Sequence, residues 1–250
     1  MKLKLLAAAA VAHTASADVV QIGVAAEPYP PFTTPDASGH WSGWEVDIMN
    51  AICADQKMDC KIVQVAWDGI IPALTAGQID AIMSSMSITA AREKTIDFSN
   101  KYYNTPTVIV GPKDVKEEAT PEGLAGKIIG VRVSTIHQVY AQKYFTKSTI
   151  KTYQTQDEVD QDLVAGRIDA TQAELISLQA VLDSKDGFCC EVKGTVKDDR
   201  AILGSGVGVG LRKGDSALKA KFNKGIADIR ADGTYEKISK KYFDFNIYGS

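Results

Sequence analysis

The chain has 250 residues, 45% of them hydrophobic and 24% charged, with a formal net charge of −3 at pH 7. This balance suits an ordinary globular protein and lacks the basic excess or stripe that nucleic-acid binding requires. The length suffices for two small domains or one large one.

The chain opens with "MKLKLLAAAAVAHTASA", in which Lys2 and Lys4 precede an apolar run from Leu5 to Ala12 and the small-residue pattern Ala15-Ser16-Ala17. This pattern predicts a secretory signal over residues 1–17, cleaved after Ala17. The apolar run is far shorter than the roughly 20 residues a membrane span needs, and no later stretch approaches that length. The expected mature chain is soluble and exported. Loss of Lys2 and Lys4 leaves 26 of the 28 basic residues against 31 acidic ones, a net of −5.

The mature part begins with a strand, "VVQIGVA", followed by "VDIMNAICADQ", whose Ile48, Met49, Ile52 and Cys53 fall on one helical face. Next come a strand, "CKIVQVA", and an aspartate, Asp68, placed to cap a helix. Further on, "KIIGVRV" reads as a strand, "IHQVYAQKYF" as a helix and "TIKTYQT" as a strand with an acidic helix start after it at Asp157 and Glu158. "GVGVGLR" is another strand, and "SALKAKFNKGIADIRADG" and "TYEKISKKYF" are the last helices. The four cysteines suit an oxidising compartment. Cys53 ends a helical pattern and Cys60 opens a strand, so a disulfide between them would join the two. Bonds between adjacent cysteines are uncommon, so Cys189 and Cys190 are expected as two thiols in a loop. The chain lacks a Cys/His cluster with metal-ligand spacing, so no metal is expected.

Two segments echo each other: "LTAGQIDAI" (Leu74–Ile82) and "LVAGRIDAT" (Leu163–Thr171). In each a helix ends at a glycine, Gly77 or Gly166, which takes a left-handed cap at little cost, and "IDA" then opens a strand. Strand–helix–strand units in series predict parallel α/β layers. Two copies predict two similar lobes. Candidate crossings between them lie near Thr105–Gly111 and Arg200–Gly210. The first lobe would comprise residues 18–106 and 200–250, and the second residues 107–199.

Ligands of open α/β sheets bind beyond the carboxyl ends of the strands. Four and five residues past Asp80 stand Ser84 and Ser85, then Ser87, Thr89 and Arg92; five past Asp169 stands Glu174. Hydroxyls and a guanidinium suit a carboxylate, and a carboxylate suits an ammonium. Lobes facing each other across a cleft would present both to one ligand, an α-amino acid.

At these residues the chain resembles the periplasmic amino-acid-binding proteins of ABC importers, solute-binding family 3, and most of all the lysine/arginine/ornithine- and histidine-binding group. The resemblance runs through "YPPF" (Tyr29–Phe32), "GWEVDI" (Gly43–Ile48), "WDGIIPALTAGQIDAIMSSMSIT" (Trp67–Thr89), "AGRIDA" (Ala165–Ala170), "GVGLRKGD" (Gly208–Asp215) and "ADGTYEKISKKYFDF" (Ala231–Phe245). It implies two hinge-linked α/β lobes that close on one ligand, a periplasmic location, a monomer and a membrane permease as partner.

Residue by residue, Arg92 looks like the family's grip on the α-carboxylate. Ser84, Ser85 and Ser87 look like further ligand groups, and Glu174 like the acid for the α-ammonium, usually aspartate. Tyr29 and Trp67 resemble the pair of aromatics that sandwich the ligand side chain; Trp41 and Trp44 read as structural. The second lobe departs further. Where many members have "GTT", this chain has "VRVSTIHQ", in which Ser134, Thr135 and the backbone of Ile136 still offer donors at a helix N-terminus. Arg132 stands where basic-amino-acid binders are apolar and some glutamine binders cationic. Glu27 lies near the acid that basic binders use for the distal amine. This acid and this base pull specificity in opposite directions, and the expected ligand is a polar or cationic L-amino acid or a derivative such as an opine.

Three alternatives use the same features. One is a cyclohexadienyl dehydratase on this fold, with Glu174 supplying the proton. The second is a glutamine-type binder. The third is a sensor ectodomain, against which the ending "FDFNIYGS" counts because no span or kinase follows. A hydrolase is not expected, since "GxSxG" is lacking. "GSGVGVG" (Gly204–Gly210) continues as a strand without dinucleotide spacing, so no cofactor is expected.

Overall fold

The computed structural model describes residues 19–249, so the predicted signal sequence lies outside the described residues. In chain order the first part contains β1 (Val19–Ala25), the short strands β2 (Thr34–Pro35) and β3 (Trp41–Ser42), α1 (Trp44–Asp55), β4 (Asp59–Val65), α2 (Ile70–Thr75), β5 (Ala81–Ile82), α3 (Ala90–Glu93) and β6 (Asp97–Tyr103). The middle part contains β7 (Thr107–Pro112), β8 (Ile128–Arg132), α4 (Ile136–Tyr144), β9 (Thr149–Tyr153), α5 (Gln156–Val164), β10 (Ala170–Glu174), α6 (Leu175–Leu182) and β11 (Cys190–Thr195). The last part contains α7 (Arg200–Leu203), β12 (Val207–Leu211), α8 (Ser216–Ala231) and α9 (Thr234–Ser239).

Two five-stranded sheets carry these elements, in the orders β4-β1-β5-β12-β6 and β11-β7-β10-β8-β9. The first pairs β4, β1 and β5 in parallel and adds β12 and β6 antiparallel. The second repeats the scheme, with β9, β8 and β10 parallel and β7 and β11 antiparallel. The chain leaves the first sheet after Tyr103 and enters the second at Thr107; it leaves the second after Thr195 and rejoins the first at Val207. The protein therefore has two similar lobes, the first holding both ends of the described residues.

The repeated "IDA" has the same role in each lobe. Asp80 accepts the Gln21 N–H of β1 through its carboxylate (2.9 Å), while its own N–H donates to the Gln21 carbonyl (2.8 Å). Asp169 does the same to Ile128 of β8, at 2.7 Å and 2.9 Å. The preceding isoleucine packs on a glycine of the neighbouring strand. A Cβ at Gly23 would lie 2.3 Å from Ile79 Cδ1, and one at Gly130 would lie 2.5 Å from Ile168 Cδ1. Gly77 and Gly166 end their helices at φ +75° and +67°.

Two helix starts differ from a simple reading. Asp68 caps nothing; it sits inside a single 3-10 turn, Trp67–Gly69, which leads into α2. Helix α5 starts at Thr155, which forms a capping box with Glu158.

Trp44 is fully buried at the start of α1, with Phe32, Tyr102, Tyr103 and Tyr235 packed around it. Its indole N–H donates to Ser239 Oγ at 3.0 Å, as a buried indole requires. The first N–H groups of α1 are satisfied by the "YPPF" turn: Trp44 donates to Pro31 O (2.9 Å) and Glu45 to Phe32 O (3.0 Å). Gly43 makes this approach possible, because a Cβ there would lie 2.3 Å from Phe32 O.

Cys53 and Cys60 form a disulfide, with Cα atoms 6.2 Å apart, tying α1 to β4 as their positions predict. Cys189 and Cys190 correct the expectation of two thiols: they are also joined, and no described cysteine is free. Cys190 begins β11 in the core while Cys189 ends a 3-10 turn at the surface, so the chain's change of course brings adjacent sulfurs together. No helix among the described residues is long and apolar enough to cross a membrane.

Candidate functional site

The cleft between the sheets holds a cavity of about 40 Å³. Tyr29, Trp67, Ser84, Ser85, Ser87 and Arg92 line it from the first lobe; Arg132, Thr135, Ile136 and Glu174 line it from the second. Ten of the eleven residues singled out in the sequence thus converge, and the eleventh, Glu27, joins them through Arg132. A larger polar cavity of about 290 Å³ lies behind the crossings and shares Ser87, Ile136 and Glu174 with the first.

On the first lobe, Arg92 lies on α3, whose start is capped by Thr89 accepting the Arg92 N–H (3.2 Å). Its Nη1 donates to Ser87 O at 2.9 Å, and its guanidinium carbon is 5.6 Å from the centre of the Trp67 ring. Burial lowers its pKa to about 10, partly offset by Glu174, so Arg92 remains cationic at neutral pH. Ser84 Oγ accepts the Ala25 N–H at 2.9 Å, which fixes the end of β1. Ser85 has φ +55°, a left-handed turn in which both its N–H and its hydroxyl donate to Glu45, at 2.8 and 3.2 Å.

Glu45 escaped sequence reading. It looks like an ordinary acid in the first turn of a helix, yet it is buried at 1% exposure and also accepts the Tyr102 hydroxyl. Burial raises its pKa, and the hydrogen bonds from Tyr102 and Ser85 oppose the rise. A carboxylate so held shapes the serine turn from below.

On the second lobe, Glu174 ends β10 at 5% exposure. Burial raises its pKa to about 7, against the pull of the Tyr29 hydroxyl and of Arg92. Thr135 caps α4, accepting the Gln138 N–H (3.2 Å) and donating to Arg132 O (2.7 Å), so its hydroxyl is committed locally. Ile136 follows it and opens α4, whose first N–H groups have no acceptor within the helix itself. His137 also lines the cavity and was not expected there. It is 7% exposed, its Nδ1 has no partner among the described residues, and burial lowers its pKa to about 3, so it is neutral.

Among the described residues three side-chain hydrogen bonds cross the cleft. The Tyr29 hydroxyl donates to Glu174 Oε2 at 3.1 Å, the Trp67 indole donates to Ser134 O at 3.2 Å, and Arg132 Nη2 pairs with Glu27 Oε2 at 2.7 Å. The acid and the base expected to compete over specificity are each other's partner. The arrangement offers a half-buried cation at one wall and a buried carboxyl at the other, with an aromatic surface between, and the described residues contain no group of metal ligands.

Residues 20–245 match the model of the bacterial extracellular solute-binding proteins, family 3. The chain belongs to this family. It is similar to an L-arginine-binding protein of Pseudomonas aeruginosa, 41% identical over all of this chain and 99% of the relative. A lysine/arginine/ornithine-binding periplasmic protein of Escherichia coli is 38% identical over 98% of this chain and 95% of its own. Among solved structures, an ancestral arginine-binding protein bound to arginine superposes with a TM-score of 0.82 at 30% identity, covering 90% of this chain and 98% of its own. An ancestral arginine-binding protein bound to glutamine superposes with a TM-score of 0.81 at 30% identity, covering 91% of this chain and 98% of its own.

Proposed function

We propose that this family member is the periplasmic substrate-binding component of an ABC importer and that it takes a polar or cationic L-α-amino acid, or a derivative of one, by closure of the two lobes. The observation that carries the reading is the placement of Arg92 and Glu174 on opposite walls of one buried cavity. Arg92, supported by Ser87 and the first N–H groups of α4 at Ile136, meets the α-carboxylate. Glu174 meets the α-ammonium, and Tyr29 and Trp67 flank the side chain. Ser84 and Ser85 shape the turn that presents these groups. Both charged ends of a zwitterion are paired only when the lobes are closed, so binding favours that state. The closed shape is what a membrane permease would recognise. A cleaved signal sequence ending at Ala17 and a monomeric state belong to the same reading.

A thermal-shift screen of the mature protein against L-amino acids and opines tests it, because a ligand that binds only the folded state raises stability by RT ln(1 + [L]/Kd). A marked upward shift with a polar or cationic L-amino acid is expected; no shift with any zwitterion overturns the reading. Proton transfer is the competing use of Glu174, since a pKa of about 7 suits a general acid. Incubation with prephenate or arogenate should yield no aromatic product by absorbance.

A further inference from the structure

The far end of the cleft is already furnished with a cation. Arg132 ends β8 at 7% exposure, and its Nε donates to Gln154 O at 3.2 Å. Its Nη2 pairs with Glu27 at 2.7 Å, and its guanidinium carbon stands 5.2 Å from the centre of the Trp67 ring. An aromatic face and a carboxylate are what would hold the distal ammonium or guanidinium of a basic ligand. Here both serve a side chain of the protein, and no other cation pairs with Glu27 among the described residues.

We propose that Arg132 is the specificity-determining residue of the distal subsite, a built-in occupant of the place a ligand cation would take. The inference rests on the reading of the cleft as an amino-acid site and narrows the side chain it prefers. A lysine- or arginine-type ligand must displace Arg132 from Glu27 and Trp67, which leaves a guanidinium buried and unpaired, or else end short of the acid. A side chain ending in an amide, a ureido group or another acceptor meets no such obstacle. It can accept from Arg132 Nη1, which has no acceptor among the described residues, while the Glu27 pair stays intact. Arg132 thus lowers affinity for cations and raises it for neutral acceptors of the same length.

Calorimetry with L-arginine and L-citrulline isolates the effect, because the two differ at the distal group alone. Arg132→Leu should raise the arginine-to-citrulline affinity ratio by about tenfold or more, the scale of coupling between close charged groups. Arg132→Gln, which keeps polarity, should move the ratio the same way and guards against a packing effect of leucine. The effect of Glu27→Gln supplies a second arm: on L-arginine binding it should be small in the wild type and at least about tenfold in the Arg132→Leu background, where the acid becomes free to meet the ligand. An unchanged ratio in both Arg132 variants, with amino-acid binding retained, overturns the assignment of Arg132 and leaves the amino-acid reading standing. Failure of the wild type to bind any zwitterion overturns both.

Discussion

The Tyr29 hydroxyl of the first lobe donates to the Glu174 carboxylate of the second at 3.1 Å, joining the two halves of the protein at the wall of the cavity. Glu174 has a pKa raised to about 7 from an ordinary 4.5, with burial as the main cause. An ammonium ligand requires the ionised form, so binding must expel the proton whenever the free carboxyl carries one. Affinity should level off above about pH 8, as long as the ligand's own α-ammonium stays protonated, and fall below pH 7, by at most about tenfold per unit. Calorimetry in buffers of different ionisation enthalpy should detect proton release near neutrality. The sign for stability is opposite. A carboxyl whose folded pKa exceeds its unfolded value favours folding when protonated, so this group's contribution declines as pH rises from 4.5 through about 7. Glu174→Gln should abolish both dependences and weaken binding.

Arg92 should matter for binding and little for folding. Its guanidinium is held by Ser87 O and by the ring of Trp67 at the cavity wall. Removing it leaves a ligand carboxylate buried without its cation, at a cost of about 2–5 kcal/mol. Arg92→Ala should lower affinity by a factor of roughly 30 or more, with an unchanged circular dichroism spectrum. Small-angle scattering should show the wild type contracting on ligand addition and the variant failing to do so at the same concentration. Equal affinity in wild type and variant would remove Arg92 from the site.

Glu45→Ala should harm the fold first. The substitution leaves the Ser85 N–H, the Ser85 hydroxyl and the Tyr102 hydroxyl without their acceptor inside the core. Orphaned buried donors cost about 1–3 kcal/mol each before relaxation. Urea denaturation should show a loss of about 2–4 kcal/mol, with Glu45→Gln retaining part of it. A variant as stable as wild type would mean the serine turn holds itself.

The Cys53–Cys60 disulfide closes a short loop, so its removal should cost at the low end of the roughly 2–4 kcal/mol usual for such bonds. The double variant Cys53→Ser/Cys60→Ser isolates it from the second pair, and chemical denaturation measures it. Peptide mapping without reduction should recover Cys53 linked to Cys60, and Cys189 linked to Cys190 within one peptide.

Elements with strong local signals were legible in the amino-acid order. The 3.6-residue spacing in α1, the apolar runs of β1, β8 and β12, and the two "AGxIDA" segments mark strands and helices because their causes lie within a few residues. The duplication of those segments determined that there would be two similar lobes, and the cluster from Ser84 to Arg92 marked one wall of the cleft cavity. What remained was decided by contacts between residues far apart in the chain. Glu45 reads as a surface acid until α1 is laid against the Ser85 turn, and His137 reads as a helix residue until α4 is set against the cleft. Cys189 and Cys190 read as thiols until the turn before β11 is known. Glu27 and Arg132, 105 positions apart, read as rival specificity signals. Only the closure of one lobe on the other makes them partners, because a charge in a buried cleft must find its opposite wherever the fold places one.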